Sequence, residues 1–190
     1  FPGYISDQIW NEGLDLLMEK KTSGIVDAIK SIKSFIYNKK EQTMELDQAY
    51  STIYDNLIQD KEATKEFGEV FTPFELINDM LDQLPKAVWS NPELKWLDPC
   101  AGIGNFPVVI YDRLMIGLAD LIEDEELRRK HILENMLYMV ELQDKNVFVL
   151  LSALNPQNKY KLNLYHGSFL EKDFIIKAGT DWNLENFDIV

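Results

Sequence analysis

One stretch near the middle of the chain limits its possible folds more than any other. An apolar segment at residues 94–98 ends in Asp98, a turn containing Gly102 and Gly104 follows, and a helical pattern then begins. Glycine has no β-carbon, so the backbone can bend sharply there and approach a bound molecule closely. The free N–H groups at the start of the helix face the same space. This order is typical of α/β proteins that bind nucleotide-like ligands.

The turn also restricts the class of ligand. A P-loop would require Gly-Lys-Ser/Thr, which is absent here, and Val108 stands where the third glycine of a dinucleotide-binding turn would lie. Asp98 adds a carboxylate at the end of the predicted strand. A cationic or hydroxyl-rich ligand therefore suits this turn better than a polyphosphate does.

The segments that follow predict a doubly wound α/β sheet. A strand at 137–141 ends in Glu141, a helix then runs to Asn155, a third strand lies at 162–165, and residues 186–190 begin a fourth. Such an alternation predicts parallel strands, with ligands bound at their carboxyl ends. A carboxylate at the end of the second strand is the usual partner of the two hydroxyl groups of a ribose, which makes Glu141 a candidate for that role.

Helix boundaries are predicted from capping residues. Thr72 is a good N-cap, Pro73 fits the first helical position, and Glu75 completes a capping box, so a helix is expected to begin there and to continue to Leu84. Asp144 is predicted to cap the helix after the second strand. An acidic helix at 124–135 lengthens the connection between the first two strands, and it is interpreted as a solvated helical face, with a partner surface as the alternative.

The chain divides into two predicted parts. Residues 1–66 form a helical N-terminal region, because apolar residues recur there at helical spacing, and residues 67–190 form the α/β domain. The fourth strand only begins before Val190, so the domain is expected to be incomplete at its C-terminus.

Composition excludes several classes of protein. The net charge of −13 argues against a broad DNA-binding face on this chain. A single cysteine allows no internal disulfide, and with two histidines a structural zinc site is not expected, so no metal is predicted. Neither a signal peptide nor an apolar run of membrane-spanning length is visible, which indicates a cytoplasmic protein.

Two motifs together resemble the amino-group (N6-adenine) DNA methyltransferases. The first is Phe67-Gly68-Glu69-Val70-Phe71-Thr72-Pro73, and the second is Asp98-Pro99-Cys100-Ala101-Gly102-Ile103-Gly104-Asn105-Phe106. The resemblance covers about residues 46–190 and includes the modification subunits of restriction systems. It implies a Rossmann-like methyltransferase fold, truncated here, with S-adenosylmethionine as the cofactor.

The resemblance also assigns roles to individual residues. It implies that Phe71, Thr72 and Pro73 contact the methionine end of the cofactor, that Asp98 faces its ammonium group and that Glu141 holds the ribose hydroxyls. The remaining residues that it places around the cofactor are Cys100, Ala101, Gly102, Gly104, Asn105, Phe106, Leu142, Ser168 and Phe169. Leu142 is expected to pack on the adenine ring.

The sequence departs from the family in two places. Ser168 follows Gly167 where the family usually has an aspartate that binds the adenine amino group, so Ser168 acts through water, Asp173 replaces it, or cofactor affinity is reduced. The catalytic Asn-Pro-Pro-Tyr/Phe motif is absent and would be expected just after Val190. No catalytic residue is therefore assigned within this chain, and the piece alone is expected to be inactive.

The resulting hypothesis is the cofactor-binding part of a DNA adenine-N6 methyltransferase from a restriction–modification system. Double-stranded DNA would bind through downstream regions, and a restriction or specificity subunit is a possible partner. The alternatives are a methyltransferase acting on RNA or on a protein glutamine, and a non-catalytic assembly module with a vestigial cofactor pocket.

Overall fold

A computed structural model describes residues 27–28, 48–49, 52, 72–155, 158–171, 182, 185 and 187–190. Most of the predicted N-terminal helical region lies outside the described residues, as do Phe71 and Asp173. Ala28 and Ala49 are described, and both are fully buried in the main hydrophobic core. The division of the chain at residue 66 stays a prediction.

The described part of the chain is an α/β structure in which helices connect parallel strands. Its helices are α1 (Phe74–Leu81), a short 3-10 helix (Lys86–Ser90), α2 (Asn105–Gly117), α3 (Glu125–His131), a π-helical turn (Ile132–Met136) and α4 (Asp144–Leu154). Its strands are β1 (Trp96–Asp98), β2 (Leu137–Glu141) and β3 (Asn163–His166). The second strand lies where the sequence predicts it, and the first and third lie within two residues of their predicted positions.

The three strands form one parallel sheet in the order β1-β2-β3. Asp98 pairs with Met139, and Glu141 pairs with His166. On the other side of β1, Ile189 forms a parallel bridge with Trp96. Strands β2 and β3 thus lie on one side of β1, and the segment around Ile189 lies on the other side, as expected for an open doubly wound sheet. The structure is compatible with a truncated Rossmann-like fold.

Apolar side chains cover both faces of the sheet, as is usual for parallel strands between helices. Trp96, Met139 and Leu164 point into the main core, which α2 and α4 complete. Leu97, Tyr138 and Val140 point to the opposite face and form a smaller cluster with Trp182. The apolar residues at helical spacing in α2, at the end of α2 and in α4 are buried, namely Val109, Ile110, Leu114, Leu118, Val147, Phe148, Leu150, Leu151 and Leu154.

Two predicted helix caps are wrong. Helix α1 has Pro73 rather than Thr72 at its N-cap, no side chain caps it, and it ends at Leu81 instead of Leu84. The carbonyl of Thr72 accepts a hydrogen bond from Asn105 instead. Helix α4 already includes Asp144, whose carboxylate lies 2.8 Å from His166 Nε2. At Asp144 a contact with His166 replaces the local cap that the sequence suggests, whereas α1 begins one residue later than expected.

The predicted acidic insertion is α3 and the π-helical turn after it. Asp124 is its N-cap and accepts a hydrogen bond from Leu127 N–H at 2.8 Å. Arg129 is buried, 2.7 Å from Glu125 and within hydrogen-bond distance of the Tyr111 hydroxyl. Glu126 receives bonds from Lys159 and from the Tyr160 hydroxyl, and the bond from Lys159 lowers its pKa. The insertion is thus tied to the body of the domain by charged and polar contacts.

No helix in the described ranges combines the length and the apolar character that crossing a membrane requires.

Candidate functional site

The sheet brings the carboxylates of Asp98 and Glu141 to the same edge and the same face. Each is the last residue of its strand. Side chains alternate between faces along a strand, so Asp98 shares the face of Trp96, and Glu141 shares the face of Met139. Because those two apolar residues belong to the same core, both carboxylates project from the α2 and α4 side of the sheet.

The glycine turn after β1 closes over the end of β2. The N–H of Ala101 donates to the carbonyl of Val140 at 2.9 Å, and the N–H of Gly102 donates to Glu141 Oε2 at 2.8 Å. The turn itself is closed by Gly104 N–H, which donates to the Ala101 carbonyl at 2.9 Å. The predicted turn and the predicted acid of the second strand therefore belong to one site.

Both glycines of the turn are required by backbone conformation. Gly102 has φ +55° and Gly104 has φ +94°, values that side-chain-bearing residues rarely adopt. A β-carbon on Gly104 would touch Leu150 at 3.4 Å, so α4 packs closely behind the turn. Among the described residues, a β-carbon on Gly102 would meet no atom within 4 Å. The space beside Gly102 is therefore open to a ligand.

The carboxylate of Glu141 is buried and well supplied with donors. Its Oε1 accepts from the N–H of Gln143 at 2.8 Å and from Asn146 Nδ2 at 3.2 Å, while Oε2 accepts from Gly102. Three N–H donors thus hold the position of this carboxylate. The Glu141 main chain also bonds to the segment after β3, because its carbonyl accepts from Gly167 N–H at 2.9 Å.

Asp98 is held differently. Its Oδ1 accepts one backbone hydrogen bond, from Cys100 N–H at 3.1 Å. The pKa of Asp98 is raised to about 6, mainly because burial disfavours the charged form; the hydrogen bond from Cys100 N–H lowers the pKa and the negative charge of Glu141 raises it, both by smaller amounts. A positive group beside Asp98 would offset that desolvation and stabilise the ionised form. The site is therefore suited to a cation at this position.

Cys100 lies on the same turn with an exposed side chain. Partial burial of its sulfur, followed by the charges of Asp98 and Glu141, raises the pKa of the thiol. A thiol with a raised pKa is a weaker nucleophile at neutral pH. The surroundings of Cys100 therefore oppose a nucleophilic role. Its side chain is exposed, whereas the sequence suggests a small buried residue in a tight loop.

The segment before α1 is connected to the start of α2. Asn105, the first residue of α2, is 7% exposed and donates from Nδ2 to the Thr72 carbonyl at 3.2 Å. Its amide oxygen is buried and has no hydrogen-bond partner within the part of the chain that the structure describes. Thr72 and Pro73 are therefore adjacent to the glycine turn, although 33 positions separate Thr72 from Asn105. Phe71 lies outside the described residues.

The other residues that the sequence predicts around the cofactor lie at different distances from the two carboxylates and on both faces of the sheet. Leu142 is 47% exposed, and its carbonyl lies 3.2 Å from His166 Nε2. The hydroxyl of Ser168 accepts from Leu170 N–H at 3.2 Å. Phe169 packs on the cluster formed by Leu97, Tyr138, Val140 and Trp182, which lies on the face of the sheet opposite the two carboxylates. Ala101 is buried, and Phe106 packs on the main core.

Asn146 is the main residue of the site that the sequence did not reveal. It is 3% exposed and lies in the first turn of α4, one turn after Glu141. A helical pattern of apolar residues surrounds it in sequence, so an asparagine at the third position has no distinct signal. The one signal for its burial is its helical spacing: Asn146 lies four positions before Leu150, on the same buried face of α4.

The site combines two carboxylates, open space beside a glycine turn and the N-terminus of a 13-residue helix. Such an arrangement can bind a cationic molecule that carries hydroxyl groups. Within the described ranges, no group of three or more His, Cys, Asp or Glu residues could hold a metal ion.

Comparison with known proteins gives one informative relative. No known protein-family model matches the chain. A 77-residue part, 39% of the chain, is 49% identical to a protein of Mycoplasma pneumoniae (strain ATCC 29342 / M129 / Subtype 1) described as an uncharacterized adenine-specific methylase. The matched part is 18% of the length of that protein, so the chain spans about a fifth of the relative it matches.

Proposed function

We propose that this chain forms the S-adenosylmethionine-binding part of a DNA adenine-N6 methyltransferase, the modification enzyme of a restriction–modification system. The observation that carries the proposal is the meeting of Asp98 and Glu141 at the glycine turn, joined by the 2.8 Å bond from Gly102 N–H to Glu141. The similarity to a mycoplasmal adenine-specific methylase supports the same class of reaction.

The residues of the site fit this cofactor. Asp98 gains most from a cation, because burial raises its pKa to about 6, and the ammonium group of the methionine part provides one. The buried amide oxygen of Asn105 lacks a donor, and the space beside Gly102 is open. The exposed side chain of Leu142 offers an apolar surface for the adenine ring.

When bound, S-adenosylmethionine supplies a methyl group that is already activated by the positive sulfonium sulfur. The tasks of this chain are to bind and to orient. Asp98 holds the ammonium end, Glu141 holds the sugar, and Thr72 and Pro73 line the methionine end with Phe71. Fixing both ends of a flexible molecule sets the direction of the reactive methyl group, which is a large contribution to catalysis by positioning.

Double-stranded DNA is the proposed substrate, and other parts of the enzyme are proposed to bind it. The net charge of −13 makes this chain a poor partner for phosphate groups. A restriction or specificity subunit is a proposed further partner.

Titration calorimetry of the chain with S-adenosylmethionine tests the proposal. Hydrogen bonds to charged groups contribute about 1.5–3 kcal/mol, so Asp98→Ala should weaken binding by about 10- to 150-fold. Asp120→Ala removes an exposed carboxylate in the loop after α2, and it should leave the affinity unchanged. No binding, or the same affinity in both variants, would refute the proposed site.

A second experiment tests the substrate. A longer protein that includes this chain should transfer a labelled methyl group to adenine in double-stranded DNA, and not to RNA or to a protein glutamine. Binding of the cofactor without transfer to any of these substrates would favour a non-catalytic assembly module.

A further inference from the structure

We propose that the region where α2 meets α3 carries a docking surface for a basic amphipathic helix of a partner protein. This surface, the insertion patch, consists of the exposed side chains of Ile116, Asp120, Leu121, Glu123, Asp124 and Leu127. It lies away from the carboxylates of Asp98 and Glu141, and the proposal does not rest on the proposed function.

Three large apolar side chains of the insertion patch point away from the body of the domain. Ile116, Leu121 and Leu127 are 66%, 61% and 60% exposed. Residues two positions apart point to nearly opposite sides of a helix. In α2, Ile116 lies two positions after the fully buried Leu114, and in α3, Leu127 lies two positions before the buried Arg129. Both helices therefore present an apolar side chain to solvent where they meet.

Hydrogen bonds hold this part of the chain in a fixed conformation. The N–H of Leu121 donates to the Leu118 carbonyl at 3.1 Å, so a tight turn follows α2. Arg128 donates from Nη1 to the Ile122 carbonyl at 2.6 Å. This bond joins the immediate neighbours of Leu127 and Leu121, so the backbone segments that carry the two leucines lie close together. A surface that is ordered before binding loses little conformational entropy when a partner docks.

Negative charge surrounds these apolar side chains. Residues 116–127 contain five acidic residues and no lysine or arginine. The carboxylates of Glu125 and Glu126 have basic partners in the protein. Asp120 and Glu123 are exposed, and neither carboxylate forms an ion pair with any described residue. Exposed apolar side chains with a polar rim are typical of interaction sites, and the charge of this rim favours a partner with lysine or arginine beside its apolar residues.

The secondary structure and charge of the insertion patch favour a basic helix as its partner. Residues 105–136 are described throughout and contain no strand, so they offer no strand edge to which an extended segment could add. A helix needs no such edge, because it binds through apolar side chains three and four positions apart. A second copy of this chain, with a net charge of −13, would be repelled by the acidic rim. Nucleic acid would be repelled in the same way.

The insertion patch is distant from the proposed cofactor site. Helix α2 begins beside the glycine turn at Asn105 and extends 13 residues to Gly117. A helix of this length spans about 20 Å. The patch therefore lies toward the amino ends of the strands, whereas the two carboxylates lie at the carboxyl ends. A partner on the patch would leave the space beside Gly102 accessible.

Fluorescence anisotropy with synthetic peptides tests the proposal. The probe is a labelled peptide of about 18 residues, long enough to form a helix, with leucines on one face and lysines on both flanks. A second peptide keeps the lysines and has alanine in place of leucine. The unmodified chain should bind the leucine peptide at least about tenfold more tightly than the alanine peptide. No binding, or equal binding of the two peptides, would overturn the proposal.

Two double variants test the apolar part of the insertion patch. Leu121→Ser with Leu127→Ser should weaken binding of the leucine peptide by at least about tenfold. Leu76→Ser with Met80→Ser replaces two residues of α1 that are 50% and 51% exposed, and it should leave the affinity unchanged. Thermal unfolding checks that both variants are folded. Equal losses of affinity in the two variants would rule out the patch as the binding site.

The charged part of the insertion patch is tested with a second pair. Asp120→Asn with Glu123→Gln should weaken binding by at least about threefold in about 50 mM salt and by less in about 500 mM salt, because salt screens exposed charges. Glu75→Gln with Asp79→Asn removes the same charge from exposed positions of α1, and it should have a smaller effect. Equal effects of the two pairs would contradict a local role of the acidic rim.

Sedimentation velocity of the chain alone distinguishes a second copy as the occupant. We expect no association through the insertion patch. A dimer that forms in the unmodified chain and dissociates in Leu121→Ser with Leu127→Ser would show that the surface joins copies of this chain, and it would overturn the assignment to a basic helix.

Discussion

Replacing Asp98 by asparagine should make the protein more stable at pH 8 while removing its affinity for a cation. Burial raises the pKa of Asp98 to about 6 from an ordinary value of 3.8. The ionised carboxylate is therefore less stable in the folded protein than in the unfolded chain. Asparagine has nearly the same shape, keeps an oxygen that can accept from Cys100 N–H, and carries no charge.

The sign and size of the effect follow from linkage between protonation and folding. A carboxyl with a raised pKa in the folded state stabilises the protein fully below pH 3.8, and this contribution is lost as the pH rises through about 6. At about 1.4 kcal/mol for each pKa unit, the loss is about 3 kcal/mol at pH 8. At pH 4 the loss is less than about 1 kcal/mol. Asparagine does not titrate, so it escapes this loss.

Urea unfolding at pH 4 and pH 8 measures the effect. Asp98→Asn should raise the free energy of unfolding by about 3 kcal/mol at pH 8 and by less than about 1 kcal/mol at pH 4. Asp120→Asn removes the same charge from an exposed position and corrects for the net charge of the chain. An unchanged stability at pH 8, or an equal gain at both pH values, would show that Asp98 is not desolvated in the folded protein.

Two further predictions concern binding and packing. Binding of S-adenosylmethionine, measured by calorimetry, should be about tenfold weaker at pH 5 than at pH 8, because about a tenth of a carboxyl with a pKa of about 6 is ionised at pH 5; a flat profile between these pH values would contradict a role for ionised Asp98. Gly117→Ala should lower the free energy of unfolding by about 1–3 kcal/mol, since the new β-carbon would lie 2.2 Å from the Trp89 carbonyl oxygen; an unchanged urea midpoint would contradict this close contact.

The sequence was most informative where a residue's role depends on its neighbours along the chain. The bounds of β2, from Leu137 to Glu141, could be predicted because an apolar run ends at a single carboxylate. The glycines of the turn could also be identified, since both need a positive φ. The acidic helix begins where the sequence predicts it, at Asp124, whose carboxylate accepts from Leu127 N–H only three positions along the chain.

The sequence was less informative where the partner of a side chain comes from a distant segment of the chain. Asp144 has the right chemistry for a helix cap, but its carboxylate contacts His166 in the structure. The contact between Gly102 and Glu141 joins positions 39 apart, and no local pattern predicts which donors a buried carboxylate will find.

The bond between Glu141 and Gly102 also has a consequence for how β2 aligns with its neighbours during folding. Leu137 to Val140 are apolar on both faces of the strand, so a slip of one residue would still bury them, and hydrophobic burial alone selects the alignment weakly. The slip would, however, turn the Glu141 carboxylate to the opposite face and leave the Gly102 N–H without its acceptor, at a cost of about 1–3 kcal/mol for an unpaired buried group. The hydrogen bond between the Glu141 carboxylate and the Gly102 N–H thus favours the correct alignment of β2 in the sheet.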